Sequence, residues 1–206
     1  SALPELLPWR VELALGALFL LVLANLRGLR ESGRLFAIPT YLFVGGALSV
    51  ICIGLLRIAL GDPAVNWSQG VVVEAHDGMQ LILPFLLLKA FAYGSVALTG
   101  TEAISDGVAA FKKPEAKNAA DTMAIMAVLL ATIFFGMSLL AFAFGKVPQE
   151  VGGETLISQI ARVTLGGGIP YAIFQIATTG ILLLAANTGF NGGPQLSRVL
   201  ARDGFL

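Results

Sequence analysis

The sequence predicts an all-α integral membrane protein with five transmembrane helices, and three observations predict it. The first is composition: of 206 residues, 56% are hydrophobic and 13% are charged, with a mean hydropathy of +0.83. A soluble domain carries about 25% charge and about 45–50% apolar residues. The second is that the apolar residues fall in five runs, at 9–26, 35–60, 81–111, 122–144 and 169–190. Roughly 20 such residues in a helix cross a hydrocarbon core about 30 Å thick. The third is that these runs do not alternate, as the short segments of a membrane barrel would. The formal net charge is +0, which gives no reason to expect a nucleic acid partner.

The first run opens on Trp9 and Arg10, with Glu12 close to the membrane boundary. The link to the second run, 27–34, holds Arg27, Arg30 and Arg34. Pro39 falls near the start of the second run, where a missing N–H costs least, and Cys52 lies within it as an expected packing residue. The loop 61–80 has no Lys or Arg but carries Asp62, Glu74 and Asp77, with Trp67 near the span end and His76 beside Asp77. The link 112–117 before the fourth run holds Lys112, Lys113 and Lys117, and Asp121 and Thr122 are candidate caps for that run. The loop 145–168 carries Lys146 and Arg162, Pro170 sits near the start of the fifth run, and the tail holds Arg198 and Arg202. The two links and the tail thus hold eight of the 13 basic residues, all on one side of a five-span protein. By the bias of positive charge toward the cytoplasm, 27–34, 112–117 and 198–206 are cytoplasmic and the protein is a multi-pass component of the cell membrane. The segment 196–201 reads as a basic amphipathic stretch at the membrane surface.

The third run is too long and too polar for simple spanning. At 1.5 Å per residue its roughly 31 residues would extend on the order of 46 Å. Its second part holds Gly94, Ser95, Thr99, Gly100, Thr101, Glu102, Ser105 and Gly107. Glycine weakens a helix interior, and Ser and Thr hydroxyls satisfy backbone groups that a break releases. The pattern predicts a broken helix near 98–101. Irregular backbone at membrane depth is tolerated only where it lines a cavity or is buried in protein, and transporters use such breaks to bind ions and solutes. Glu102 follows the break, and an ionisable group in mid-membrane normally faces a site or a partner.

Other readings of the same residues stay open. Gly100 and its small neighbours would also serve close helix packing. Glu102 would serve as a protonated structural acid, or pair with Lys89, which itself reads as a snorkelling or entrance residue. Outside the spans, His76 and Asp77 read as solvated surface; no HExxH or phosphate-binding loop is present, and no nucleophile–base pair within the spans. An enzyme is therefore not expected, and no cofactor is. The start, SALPELLP, lacks the basic region and cleavage site of a secretory signal. The chain reads as a single membrane domain, 1–206, cut from a longer protein.

The order of motifs resembles the amino acid–polyamine–organocation (APC) superfamily of transporters. NLRGLRESG (25–33) resembles the link between that superfamily's fourth and fifth helices, FAYGSVALTGTEAIS (91–105) its broken sixth helix, and LSRVLARDGFL (196–206) the segment after its eighth. The resemblance implies helices 4 to 8 of a LeuT-type fold, a 5+5 inverted repeat of which this chain is a part. Within the superfamily, ALTGTEAIS, PEAKNAADT, and AANTGF ahead of LARDGFL are similar to the KimA-type potassium importers. That likeness implies potassium uptake driven by proton symport, a potassium ion held by Thr99 and Glu102, and a homodimer in the full-length protein. Hydroxyl, carboxylate and freed carbonyl oxygens suit a dehydrated cation, and a carboxyl whose affinity for protons falls when a cation binds would couple the two. Thr101, Asp106 and Ala109 depart from the pattern of those importers, as does the glycine-rich Asn191-Gly192-Gly193. The alternative within the superfamily is an amino acid or polyamine permease. Small hydroxylated neighbours beside Glu102, in place of an aromatic cover, favour an ion.

Overall fold

The computed structural model describes residues 8–26, 33–65, 67, 79–95, 99–106, 108, 111–147 and 153–205. These residues form seven helices and no strand: α1 (Arg10–Leu26), α2 (Gly33–Ala59), α3 (Met79–Ser95), α4 (Thr99–Asp106), α5 (Glu115–Ala143), α6 (Leu156–Leu165) and α7 (Ile169–Arg202). Among the described residues, three segments are long and apolar enough to cross a membrane: Ala37–Ala59 in α2, Glu115–Ala143 in α5 and Ile169–Asn187 in α7. Helices α1 and α3 contribute 17 residues each, at the lower edge of the roughly 17–25 that span. The all-α membrane architecture expected from composition is the architecture observed.

Glycines set how the long helices pair. A Cβ built on Gly54 would lie 2.6 Å from Leu140, and one on Gly136 would lie 2.7 Å from Ile51. Both contacts join α2 to α5 at nearly the same offset along the chain, so these helices run parallel. A Cβ on Gly46 would meet Phe174 at 2.7 Å, and one on Gly180 would meet Pro39 at 3.0 Å. Later α2 therefore faces earlier α7, and the pair is antiparallel. Lipid tails are as apolar as leucine, so small residues that let backbones approach supply the association that burial supplies in water. The pairing collects the start of α2, the start of α5 and the end of α7 at one end. Lys112 and Lys113 lie just before α5 and Lys117 in its first turns, while Arg198 and Arg202 lie in the last turns of α7.

The core lies toward the opposite end, beneath α6. Val50 and Ile51 of α2, Leu140 and Ala141 of α5, Ile160 and Ala161 of α6, and Tyr171 and Phe174 of α7 pack there. Outward faces carry Leu20, Tyr41, Leu56, Phe135 and Ile176 in the open, as lipid-facing surfaces should.

Several sequence expectations shift. Helix α5 starts at Glu115, so Asp121 and Thr122 are interior and do not cap it; Thr122 donates its hydroxyl to the Asn118 carbonyl at 2.8 Å. The N-cap is Pro114, without a side-chain hydrogen bond, and Glu115 occupies the first turn, where the helix dipole favours an acid. An apolar run marks where lipid begins, not where a helix does. For the same reason α2 starts early enough to place Pro39 inside it. Likewise, α7 continues unbroken through 191–202, beyond the apolar run that ends at 190, so these residues are helix and not a separate cytoplasmic tail 191–206. Cys52 is exposed on α2 and packs in none of this core.

Candidate functional site

The third run is two helices in the structure. At the end of α3, Ser95 donates its hydroxyl to the Phe91 carbonyl one turn back at 3.0 Å. Helix α4 then begins at Thr99 and lasts 8 residues. Of the break expected near 98–101, residue 98 lies outside the described residues, and 99–101 form the regular first turn of α4.

Thr99 is the first residue of α4 and Glu102 the fourth. Three residues apart, the two positions share one helix face. Their side chains lie outside the described residues, as do His76 and Asp77. Electrostatics nevertheless constrain the arrangement. The N-terminus of α4 presents unpaired N–H groups and a positive pole, which repels a cation unless an acid sits in that first turn. Glu102 is that acid. The C-terminus of α3 has the opposite polarity.

What holds α4 is visible. The helix packs on α5, and a Cβ on Gly100 would lie 3.1 Å from the sulfur of Met126. Close packing, the alternative reading of Gly100, is thus what this glycine does. Thr101 and Ile104 are half-buried, whereas Ser105 is exposed. Lys89 is exposed on α3, with its ammonium 5.8 Å from the Tyr93 ring centroid one turn on. Glu12 is exposed in the first turn of α1.

The sequence reading missed a polar assembly at the α6 end. Thr155 caps α6, accepting from the Ser158 N–H at 3.3 Å, and Gly166 ends it with φ of 76°. One oxygen of Glu154 accepts from the Ser158 hydroxyl at 2.7 Å, the Tyr171 hydroxyl at 2.9 Å and Arg162 Nε at 3.0 Å. Gln175 of α7 donates to Ser158. Burial pushes the Glu154 carboxyl up, but the hydrogen bonds from Ser158, Tyr171 and Arg162 outweigh it and hold the group below its ordinary range. From α2, Arg57 donates to the Val163 carbonyl at the end of α6 and to Asp62 at 2.8 Å. That bond, followed by one from the Ala64 N–H, holds the Asp62 carboxyl below its ordinary range. The signals were present: Thr155 and Gly166 are cap residues, and Leu156, Ile160 and Thr164 recur at helical spacing. A search for 20-residue runs passes over a helix of 10.

The described residues form an all-α assembly with three segments long and apolar enough to cross a membrane. The chain belongs to the amino acid permease family, which matches residues 4–206, and that family is one of transporters, not of enzymes. It is 44% identical over 209 residues to the potassium transporter KimA of Bacillus subtilis (strain 168). The match covers 100% of this chain and 33% of that protein, so the chain spans about a third of its relative's length.

Proposed function

We propose that this chain is part of a proton-coupled potassium importer, with the ion held at Thr99 and Glu102. The observation that carries the reading is the 44% identity, over the whole chain, to a potassium transporter. Glu102 in the first turn of α4 adds a physical reason for a cation there, since the carboxylate offsets the positive pole of the helix. Glu102 also serves as the group whose proton exchanges with the ion. The basic end of the helices faces the cytoplasm, and the full-length protein is a homodimer. The test is uptake of rubidium, a potassium surrogate, by cells lacking their own potassium importers. Glu102→Gln should remove most uptake while the protein still reaches the membrane; uptake at the wild-type rate removes Glu102 from the mechanism.

A second reading, an amino acid or polyamine permease, is favoured by the family's own description. Radiolabelled amino acid uptake that potassium competes away would reverse the ranking.

A further inference from the structure

The residues expected to bind the ion belong to a helix of 8 residues, too short to hold its own position, since isolated helices below about 12–15 residues are marginal. Something outside α4 must set where it stands. Its packing partner is α5, and the closest approach recorded for its glycine is to Met126. Gly100 lies between Thr99 and Glu102, so this contact falls within the same turn as the proposed ligands. Contact at 3.1 Å with a notional Cβ leaves no room for a methyl group unless sulfur or helix moves.

We infer that Met126 is a positioning residue for the proposed cation site: the seat of Gly100 on its thioether fixes the distance of α4 from α5. The inference rests on the potassium reading of Thr99 and Glu102. A dehydrated cation discriminates by ligand number and spacing, so a displacement of a few tenths of an ångström is felt in binding before it is felt in folding. Misplacing a positioned group by 1 Å costs on the order of 10²-fold; a third of that corresponds to about fivefold.

Methionine suits this role because its unbranched thioether fills an irregular gap and adapts. Its flexibility also predicts how the seat fails. An added methyl group is absorbed partly by Met126 and partly by a shift of α4, leaving the α2·α5·α7 packing intact.

The experiment measures rubidium uptake kinetics with the protein expressed from its own gene in a potassium-uptake-deficient bacterium. Gly100→Ala should raise KM about fivefold with little change in maximal rate or thermal midpoint. Adding Met126→Ala to the same chain should return KM to near the wild-type value, because it removes the atoms the new methyl group strikes. Where Gly100→Ala does not reach the membrane, Met126→Ala alone should change KM by about threefold or more at unchanged surface level. A wild-type KM in Gly100→Ala or Met126→Ala, or no rescue in the double variant, overturns the seat. Glu102→Gln in the same assay separates the levels: if it stops uptake while the seat variants behave as wild type, only the seat falls. If Glu102→Gln transports normally, the site itself falls.

Discussion

Consider Gly54→Ala. A methyl group there would sit 2.6 Å from both terminal carbons of Leu140 and 3.2 Å from its Cγ. Leu140 is fully buried, so it has nowhere to retreat. Overpacking of this kind destabilises by about 1–3 kcal/mol, while replacing a helix-interior glycine returns up to about 1 kcal/mol of propensity. Gly45→Ala, on the same helix with nothing within 4 Å, receives the propensity gain alone. The two variants should therefore differ by about 1–3 kcal/mol, or roughly 2–4 °C in thermal midpoint for each kcal/mol. Leu140→Ala removes the three atoms in question and by itself costs about 2–5 kcal/mol. Combined with Gly54→Ala, it should be less harmful than the sum of the two by about 1–3 kcal/mol. The assay is thermal unfolding of purified protein in detergent, followed by loss of the monodisperse chromatographic peak. A Gly54→Ala midpoint equal to or above that of Gly45→Ala would refute the claim that α2 and α5 interlock here.

Three further outcomes follow from the α6 end and the helix pairing. Because the Glu154 carboxyl lies below its ordinary range, its contribution to stability is present in full above its unfolded value, about 4.3. It is lost as pH falls through the lowered folded value; Glu154→Gln should flatten that acid limb in thermal unfolding followed between pH 3 and pH 7. Arg57→Ala should cost about 1–2 kcal/mol, the lower part of the range for bonds to a charged group, since the side chain is 30% exposed. Arg57→Lys should recover little of it in the same thermal assay, because one ammonium cannot fork between Asp62 and the α6 carbonyls. Cysteines placed at Ala64 and at Lys113 should react with a membrane-impermeant thiol reagent from opposite sides of the membrane; labelling of both from one side would break the parallel pairing of α2 and α5.

The sequence made the helical, membrane-embedded class legible because lipid leaves so strong a mark on composition. Charge asymmetry assigns Lys112, Lys113, Lys117, Arg198 and Arg202 to one side of the membrane, an expectation that the cysteine-labelling experiment tests. Hydropathy reports the solvent around a helix, so it was blind where a helix leaves lipid, as at Glu115–Thr122 and 191–202. It was blind also to α6, whose burial comes from neighbouring helices instead of lipid. Glycines at 46, 54, 136 and 180 are visible in the sequence, but which side chain each one admits is a tertiary fact. At the candidate site, the polar cluster around Glu102 was conspicuous. Gly100 could be read as a breaker or as a packing residue, and only Met126, more than twenty residues away, decides it.

The two kinds of glycine seat explain how one chain combines a fixed frame with an adjustable site. Gly54 and Gly136 receive Leu140 and Ile51, both buried and both branched. Branched side chains have few rotamers to escape into, so these contacts resist sliding, and the resistance is reinforced by Arg57 and Glu154 at the α6 end. Gly100 instead rests on the far end of an unbranched, half-buried methionine, a single contact without the interlocking pair that joins α2 to α5. Regions with few packed contacts open at lower free energy than the core. The inequality suits the proposed transport role, because a helix locked as firmly as α5 against α2 would release an ion slowly. The frame is therefore where substitutions should unfold the protein, and α4 is where they should retune it.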